Sequence, residues 1–195
     1  MPRLFPYIQI KNFLSGEHST EILTYAIQNE KSFTHSTLGK ENIVNTKRRI
    51  SLVMRELENI EALMHKKINA LYPDILQKLQ MKGFKRKESL EIELAAHGDG
   101  AFFAPHVDIL GDRSDRVLNA VYYLHNTPRK FIGGELKIYP FEMMPGNDLP
   151  AILEPVHNSL VVFQSYVLHE VLPVNCPGAE FKNYRFAINC WIHKA

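Results

Sequence analysis

Cysteine is scarce in this chain. Cys176 and Cys190 are the two among 195 residues, and no CxxC spacing joins them. Neither a disulfide framework nor a zinc knuckle is indicated by that pattern. Long apolar runs are also missing, and none approaches the ~20 residues that a bilayer span needs. After Met1-Pro2-Arg3 no extended apolar stretch follows, so no secretory signal is visible, and cytoplasmic residence with reduced thiols is the expectation. Internal repeats and low-complexity tracts are absent as well. What remains is an ordinary balance of 45% hydrophobic and 23% charged residues, which excludes disorder and fibrous repeats. The length fits one domain over residues 1–195, large enough to bury roughly two thirds of its unfolded surface.

The net charge of +2 conceals an asymmetry. Residues 1–90 carry 15 Lys/Arg against 9 Asp/Glu, and residues 91–195 carry 8 against 12. Basic residues concentrate at Lys47-Arg48-Arg49 and between Lys82 and Lys87. Such clusters can grip phosphates or an acidic partner, but the more common outcome is a solvated rim.

The first 90 residues read as a mainly helical buttress after a short opening strand at 7–10. Ser15 and Ser19 offer helix-start chemistry ahead of Ile22, Leu23, Ala26 and Ile27, which follow one helical stripe. A second helix is expected over 55–71, interrupted by Pro73, with a further short helix opening at Pro73-Asp74. Residues 33–46 are polar and unpatterned, which predicts a loop. From residue 91 the texture changes to short β-branched and aromatic runs between turn signals. Eight strands are expected, at 92–96, 102–108, 118–125, 136–139, 152–154, 160–164, 169–174 and 185–193. Eight short strands suggest a sandwich or barrel, the jelly roll being the common solution. The fold class is α+β, with N-terminal helices packed on a jelly-roll core at 91–195.

His106 and Asp108 flank Val107 inside an expected strand, where residues two apart point to one face. An imidazole and a carboxylate side by side suit two ligands of one metal. His169, 61 residues beyond Asp108, opens another expected strand and can supply a third. Two histidines and one carboxylate leave positions open for a co-substrate and O2, the arrangement of non-haem iron(II) oxygenases. Taken singly, each of these residues has a plain structural reading. Arg185 lies in the chain's most regular strand and shares a face with Ala187, Asn189 and Trp191. Burying it calls for an anionic partner, and its planar fork suits a carboxylate.

The segments 100–108, 116–124, 133–139, 162–163, 169–174 and 185–191 together resemble the iron(II)/2-oxoglutarate oxygenases of the prolyl 4-hydroxylase type. They agree in order and approximate spacing over about half the chain. The resemblance implies a double-stranded β-helix, which is a jelly-roll core, buttressed by helices on its major sheet. It implies His106, Asp108 and His169 as iron ligands, and Arg185 as the partner of the distal carboxylate of 2-oxoglutarate. Tyr123 matches a tyrosine that bonds the same carboxylate, Asn189 a small polar position of that pocket, and Leu136 a residue packing on the co-substrate. Gly133-Gly134 marks the turn into the strand of Leu136, while Trp191 and Phe163 are read as packing. A lid is expected from 33–46, 111–115 and 141–150.

Three departures stand out. Where relatives place a tyrosine about ten residues before the first ligand, His97 stands nearest, as either a pocket contact or a loop residue. Arg185 follows His169 by sixteen residues rather than about ten, and the excess at 175–182 reads as a lengthened hairpin; Lys182 is the poorer candidate for the carboxylate. Ala187 stands where some branches carry a hydroxyl.

The resemblance implies Fe(II), 2-oxoglutarate as co-substrate and O2, with ascorbate as an accessory. The implied reaction is hydroxylation of an unactivated C–H bond coupled to conversion of 2-oxoglutarate to succinate and CO2. A prolyl residue of a protein or peptide is the first substrate, with a free amino acid or other small metabolite next. A nucleic-acid demethylase is disfavoured, since Trp191 and Ile192 occupy the region of its second arginine. A non-catalytic jelly-roll binding protein has no need of the triad and Arg185 together. Asp108 argues against a halogenase, which leaves that ligand position to halide.

Overall fold

The computed structural model describes residues 7–37, 43–109, 114–140 and 149–195. The segments expected as a lid fall in part outside these described residues, namely at 38–42, 111–113 and 141–148.

Fourteen strands are present among the described residues. In chain order they are β1 (Tyr7–Lys11), β2 (Thr34–His35), β3 (Arg49–Ile50), β4 (Leu52–Met54), β5 (Glu91–His97), β6 (Phe102–His106) and β7 (Arg116–Leu124). They continue with β8 (Ile132–Gly133), β9 (Leu136–Ile138), β10 (Ala151–Leu153), β11 (Ser159–Gln164), β12 (His169–Val171), β13 (Val174–Asn175) and β14 (Arg185–His193). A seven-stranded sheet runs β1-β11-β7-β14-β5-β4-β2, a five-stranded sheet runs β10-β9-β12-β6-β3, and β13 pairs with β8 alone. Every pairing is antiparallel. The eight expected strands are all found, with 169–174 split into β12 and β13. The mixed α+β architecture is that of a jelly-roll core with helices on its larger sheet.

Two helices, α1 (Gly16–Gln28) and α2 (Glu58–Lys78), cover the larger sheet. Ser15 starts α1 as expected, its Oγ accepting the His18 N–H at 3.2 Å. Strand alternation sorts the core. Leu118, Ala120, Tyr122 and Leu124 of β7, and Phe186, Ile188 and Cys190 of β14, pack with Ile22, Ala26, Met64, Ile68 and Ile75 of the helices. The opposite faces, with Tyr123 and Ala187, join Val161, Phe163, Leu136 and Ile138 between the two sheets. This inner face carries the site.

Three expectations are corrected here. The second helix does not stop at Pro73: α2 runs through it to Lys78. Ile68 and Ile75, on either side of the proline, are both buried against the sheet. Burying two such side chains, at roughly 1.5–3 kcal/mol each, outweighs the roughly 3 kcal/mol of an interior proline. The N-terminal region is also less helical than expected, because β2, β3 and β4 extend the two sheets, and part of 33–46 is strand β2 rather than loop. Finally, 175–182 is not a hairpin. It carries the chain from β13, in the two-stranded pair with β8, to β14 at the centre of the seven-stranded sheet, anchored by buried Cys176 and Phe181.

Candidate metal centre

The triad assembles because β6 and β12 are paired. His106 and His169 are register partners in that ladder, and their rings lie 4.1 Å apart between centroids. Asp108 follows β6, its backbone N–H donating to the Ser165 carbonyl at 2.9 Å. The ligand atoms of His106, Asp108 and His169 all lie within 4.8 Å of one another. Each imidazole uses Nδ1 on a backbone carbonyl, His106 on Ala104 at 2.8 Å and His169 on Val167 at 2.9 Å. Those bonds fix the tautomer and turn both Nε2 lone pairs toward the carboxylate. Nε2 of His106 and of His169 each lie 3.8 Å from an Asp108 oxygen. Phe103 stacks on His106 at 3.5 Å, and Phe163 meets the His169 ring edge-on at 4.7 Å.

Burial drives both histidines down from their ordinary pKa, and for His106 the neighbouring His169 adds to the effect. Burial pushes the Asp108 carboxyl up, but His169, His106, the Trp191 N–H and Arg116 together hold it below the usual range. Two neutral imidazoles beside an ionised carboxylate form a donor set that binds a divalent transition metal without first shedding protons.

Deeper between the sheets lies Arg185, the largest fully buried side chain. Its Nε donates to the Gly134 carbonyl at 2.8 Å, and Nη1 lies 3.2 Å from His97 Nδ1. No carboxylate among the described residues forms an ion pair with it. Tyr123 lies against the guanidinium, 5.0 Å from its ring centroid, and burial raises the phenol to about 12 despite that charge. The Tyr123 hydroxyl is sealed from solvent and makes no hydrogen bond of good geometry; the Arg185 guanidinium is its polar neighbour. A buried cation without a carboxylate partner, with a buried hydroxyl facing it, is what an incoming carboxylate would satisfy. The residues therefore fit 2-oxoglutarate as well as the metal. Leu136 and Asn189 line the same cleft between Arg185 and the triad. Gly134 must be glycine: its φ is +73°, and a Cβ there would lie 2.6 Å from Arg185 Cδ.

All seven site residues expected from the sequence thus border one cleft. His97 is a pocket contact rather than a loop residue, at the end of β5 opposite Arg185 in the register. Lys182 is half-exposed and pairs with Glu180, away from the cleft. Trp191, read as packing, also donates its Nε1–H to Asp108 at 2.9 Å. Three residues had been missed. Arg49 is not part of a solvated rim but turns inward, bonding Glu93 at 2.6 Å and lying over Phe103. Asn119 donates to Asp108 at 2.8 Å, and Arg116 stacks on Trp191 at 4.1 Å. Asn119 was findable, since it alternates onto the face of Tyr123 along β7; Arg49 carried no signal beyond a run of basic residues.

Residues 92–193 match the model of the 2OG-Fe(II) oxygenase superfamily. The chain is similar to an uncharacterized PKHD-type hydroxylase of Synechocystis, at 33% identity over 195 residues, covering 96% of this chain and 63% of that protein. It therefore spans less than two thirds of that relative's length. Among solved structures it is similar to a Pseudomonas putida prolyl-4-hydroxylase, with a TM-score of 0.72 at 23% identity, covering 97% of this chain and 93% of the other. It is also similar to a prolyl hydroxylase from Trichoplax adhaerens, solved with a hypoxia inducible factor peptide, with a TM-score of 0.71 at 22% identity over 97% and 84% of the two chains.

Proposed function

Because the chain belongs to the 2OG-Fe(II) oxygenase superfamily, we propose that it hydroxylates an unactivated C–H bond of a peptide, with a prolyl residue as the target. When bound, iron(II), 2-oxoglutarate and O2 supply the oxidation: the co-substrate becomes succinate and CO2, one oxygen atom entering succinate and the other the new hydroxyl group. His106, Asp108 and His169 would hold the metal on one face. Arg185 and the Tyr123 hydroxyl would take the distal carboxylate of the co-substrate, with Asn189 and Leu136 shaping its walls. Burial of these groups excludes water, which strengthens every polar contact inside the cleft.

The observation that carries the reading is the triad joined by one cleft to a buried arginine without a carboxylate partner. The peptide assignment rests on an adjoining cavity that shares Asp108, Phe103 and Trp191 with the cleft and is bordered further by Arg116, Glu91 and Glu93. Arg116 Nη1 is buried there without a hydrogen bond, 3.8 Å from Asp108 Oδ1, and aromatic walls flank it. A carbonyl-rich chain with an apolar ring next to the reacting carbon matches that lining. Both solved relatives named above are prolyl hydroxylases, which supports the same choice. The test is incubation with Fe(II), 2-oxoglutarate and a proline-containing peptide library, read by mass spectrometry. A +16 Da peptide mapped to proline, with stoichiometric succinate, is expected. Succinate formation stimulated by free amino acids but by no peptide would contradict the peptide assignment.

A further inference from the structure

Asp108 is gripped from outside the triad in a way that none of the ligand assignments requires. Its Oδ2 accepts two N–H donors, Asn119 Nδ2 at 2.8 Å and Trp191 Nε1 at 2.9 Å. Both donors are oriented by further contacts. The Ser165 hydroxyl donates to Asn119 Oδ1 at 2.7 Å, which leaves the amide nitrogen facing Asp108. Ser165 is fully buried, and its own carbonyl accepts the Asp108 backbone N–H, so one residue fixes both the carboxylate's backbone and the donor to its side chain. The indole is held by Arg116, whose guanidinium stacks on it at 4.1 Å and is itself tied to Glu91 by two hydrogen bonds. The three elements involved, β7, β14 and the turn after β11, belong to the larger sheet or adjoin it, whereas His106 and His169 belong to the smaller one.

We propose that Asn119 and Trp191 are positioning residues that saturate Oδ2 of Asp108 and so keep it a one-oxygen ligand. Oδ1 accepts no hydrogen bond from the described residues and lies 3.8 Å from His106 Nε2 and 3.8 Å from Arg116 Nη1. A carboxylate free to swing could offer both oxygens and fill a position that the co-substrate and O2 need. Two N–H donors on one oxygen make that swing costly, since each would lose a charge-assisted bond inside a buried site. The clamp also locks the large sheet to the ligand set of the small one across the cleft.

The proposal rests on the metal assignment, and the experiment separates the two. Trp191→Phe keeps an aromatic ring on the strand beside Arg116 and removes the N–H together with part of the indole. Asn119→Ala removes the amide, and Ser165→Ala leaves the amide in place but frees its rotation. Metal affinity is read by titrating the metal-free protein with Mn(II) and following the free ion by electron paramagnetic resonance. Coordination is read from the visible absorption of the Co(II)-loaded protein, which reports ligand number and geometry, with the melting temperature of the metal-free protein as the measure of packing. Wild type should bind Mn(II). Trp191→Phe and Asn119→Ala should each weaken binding by about tenfold or more and alter the Co(II) spectrum, with Ser165→Ala showing a smaller shift of the same kind. The melting temperature of metal-free Trp191→Phe should stay near the wild-type value. Wild-type Mn(II) affinity and an unchanged Co(II) spectrum in both Trp191→Phe and Asn119→Ala would overturn the clamp while leaving the metal centre standing. A wild type that binds no Mn(II) would overturn the metal assignment and the clamp with it.

Discussion

Tyr123→Phe should push the protein in two opposite directions. In the protein alone the Tyr123 hydroxyl is buried, makes no hydrogen bond of good geometry and has the Arg185 guanidinium as its polar neighbour. Sealing such a group costs about 1–3 kcal/mol, which the contact with Arg185 offsets in part, so deleting it should stabilise the metal-free protein by up to about 1 kcal/mol. For a chain of this length each kcal/mol corresponds to about 2–4 °C in melting temperature. The ring stays, so its packing with Val161, Phe163 and Ala187 is retained. With 2-oxoglutarate the sign reverses, because the lost hydroxyl was a donor to a carboxylate. A hydrogen bond to a charged group contributes about 1.5–3 kcal/mol, which is about 10- to 150-fold in affinity. The assay is a thermal melt of the metal-free protein, paired with 2-oxoglutarate titration of the Mn(II)-loaded form, which does not turn over. A variant that is less stable, or one that binds 2-oxoglutarate as tightly as wild type, would refute the idea that this hydroxyl awaits the co-substrate.

Other perturbations probe the same cleft. Arg185→Ala should raise the 2-oxoglutarate requirement at least tenfold in a succinate-release assay, whereas Lys182→Ala, on a half-exposed side chain paired with Glu180, should leave it unchanged. Gly134→Ala forces a Cβ against Arg185 and Val174 at a positive φ, and should cost about 2 kcal/mol or more in a denaturant melt. His97 titrates well below its ordinary 6.5, through burial first and then the charges of Arg185 and Arg49. The unfolded chain therefore takes up this proton near pH 6.5 and the folded chain does not, so stability falls as pH drops below that value, by up to ~1.4 kcal/mol per unit. His97→Gln should flatten the slope of stability against pH between 6.5 and 5 without abolishing it, since buried His125 and half-buried His157 are shifted in the same direction.

The inner face of the site was legible because strand alternation writes it into the sequence. His106 and Asp108, or Arg185 and Asn189, reveal a shared face by spacing alone. The partnership of His106 with His169 was not legible by itself, since it depends on β6 and β12 meeting in one ladder. Resemblance to a family supplied that step. Short strands such as β2 and β3 left no periodic trace, because two residues cannot alternate detectably. Pro73 misled for a different reason: its local penalty is plain in the sequence, but the buried stripe that outweighs it exists only against the sheet. Arg49 sits in a run with Lys47 and Arg48, and nothing in that run distinguishes the side chain that turns inward to Glu93. Trp191 shows the limit of reading an aromatic as packing, because its edge carries a donor and its strand aims that edge at Asp108.

The central claim is that His106, Asp108 and His169 act together as one iron site coupled to 2-oxoglutarate. Anaerobic loading with Fe(II), followed by admission of O2 with 2-oxoglutarate and the peptide pool, should release succinate and CO2 in equal amounts from the wild type and none above background from Asp108→Ala. Equal succinate from the two proteins, or release that persists when iron is withheld, would contradict it.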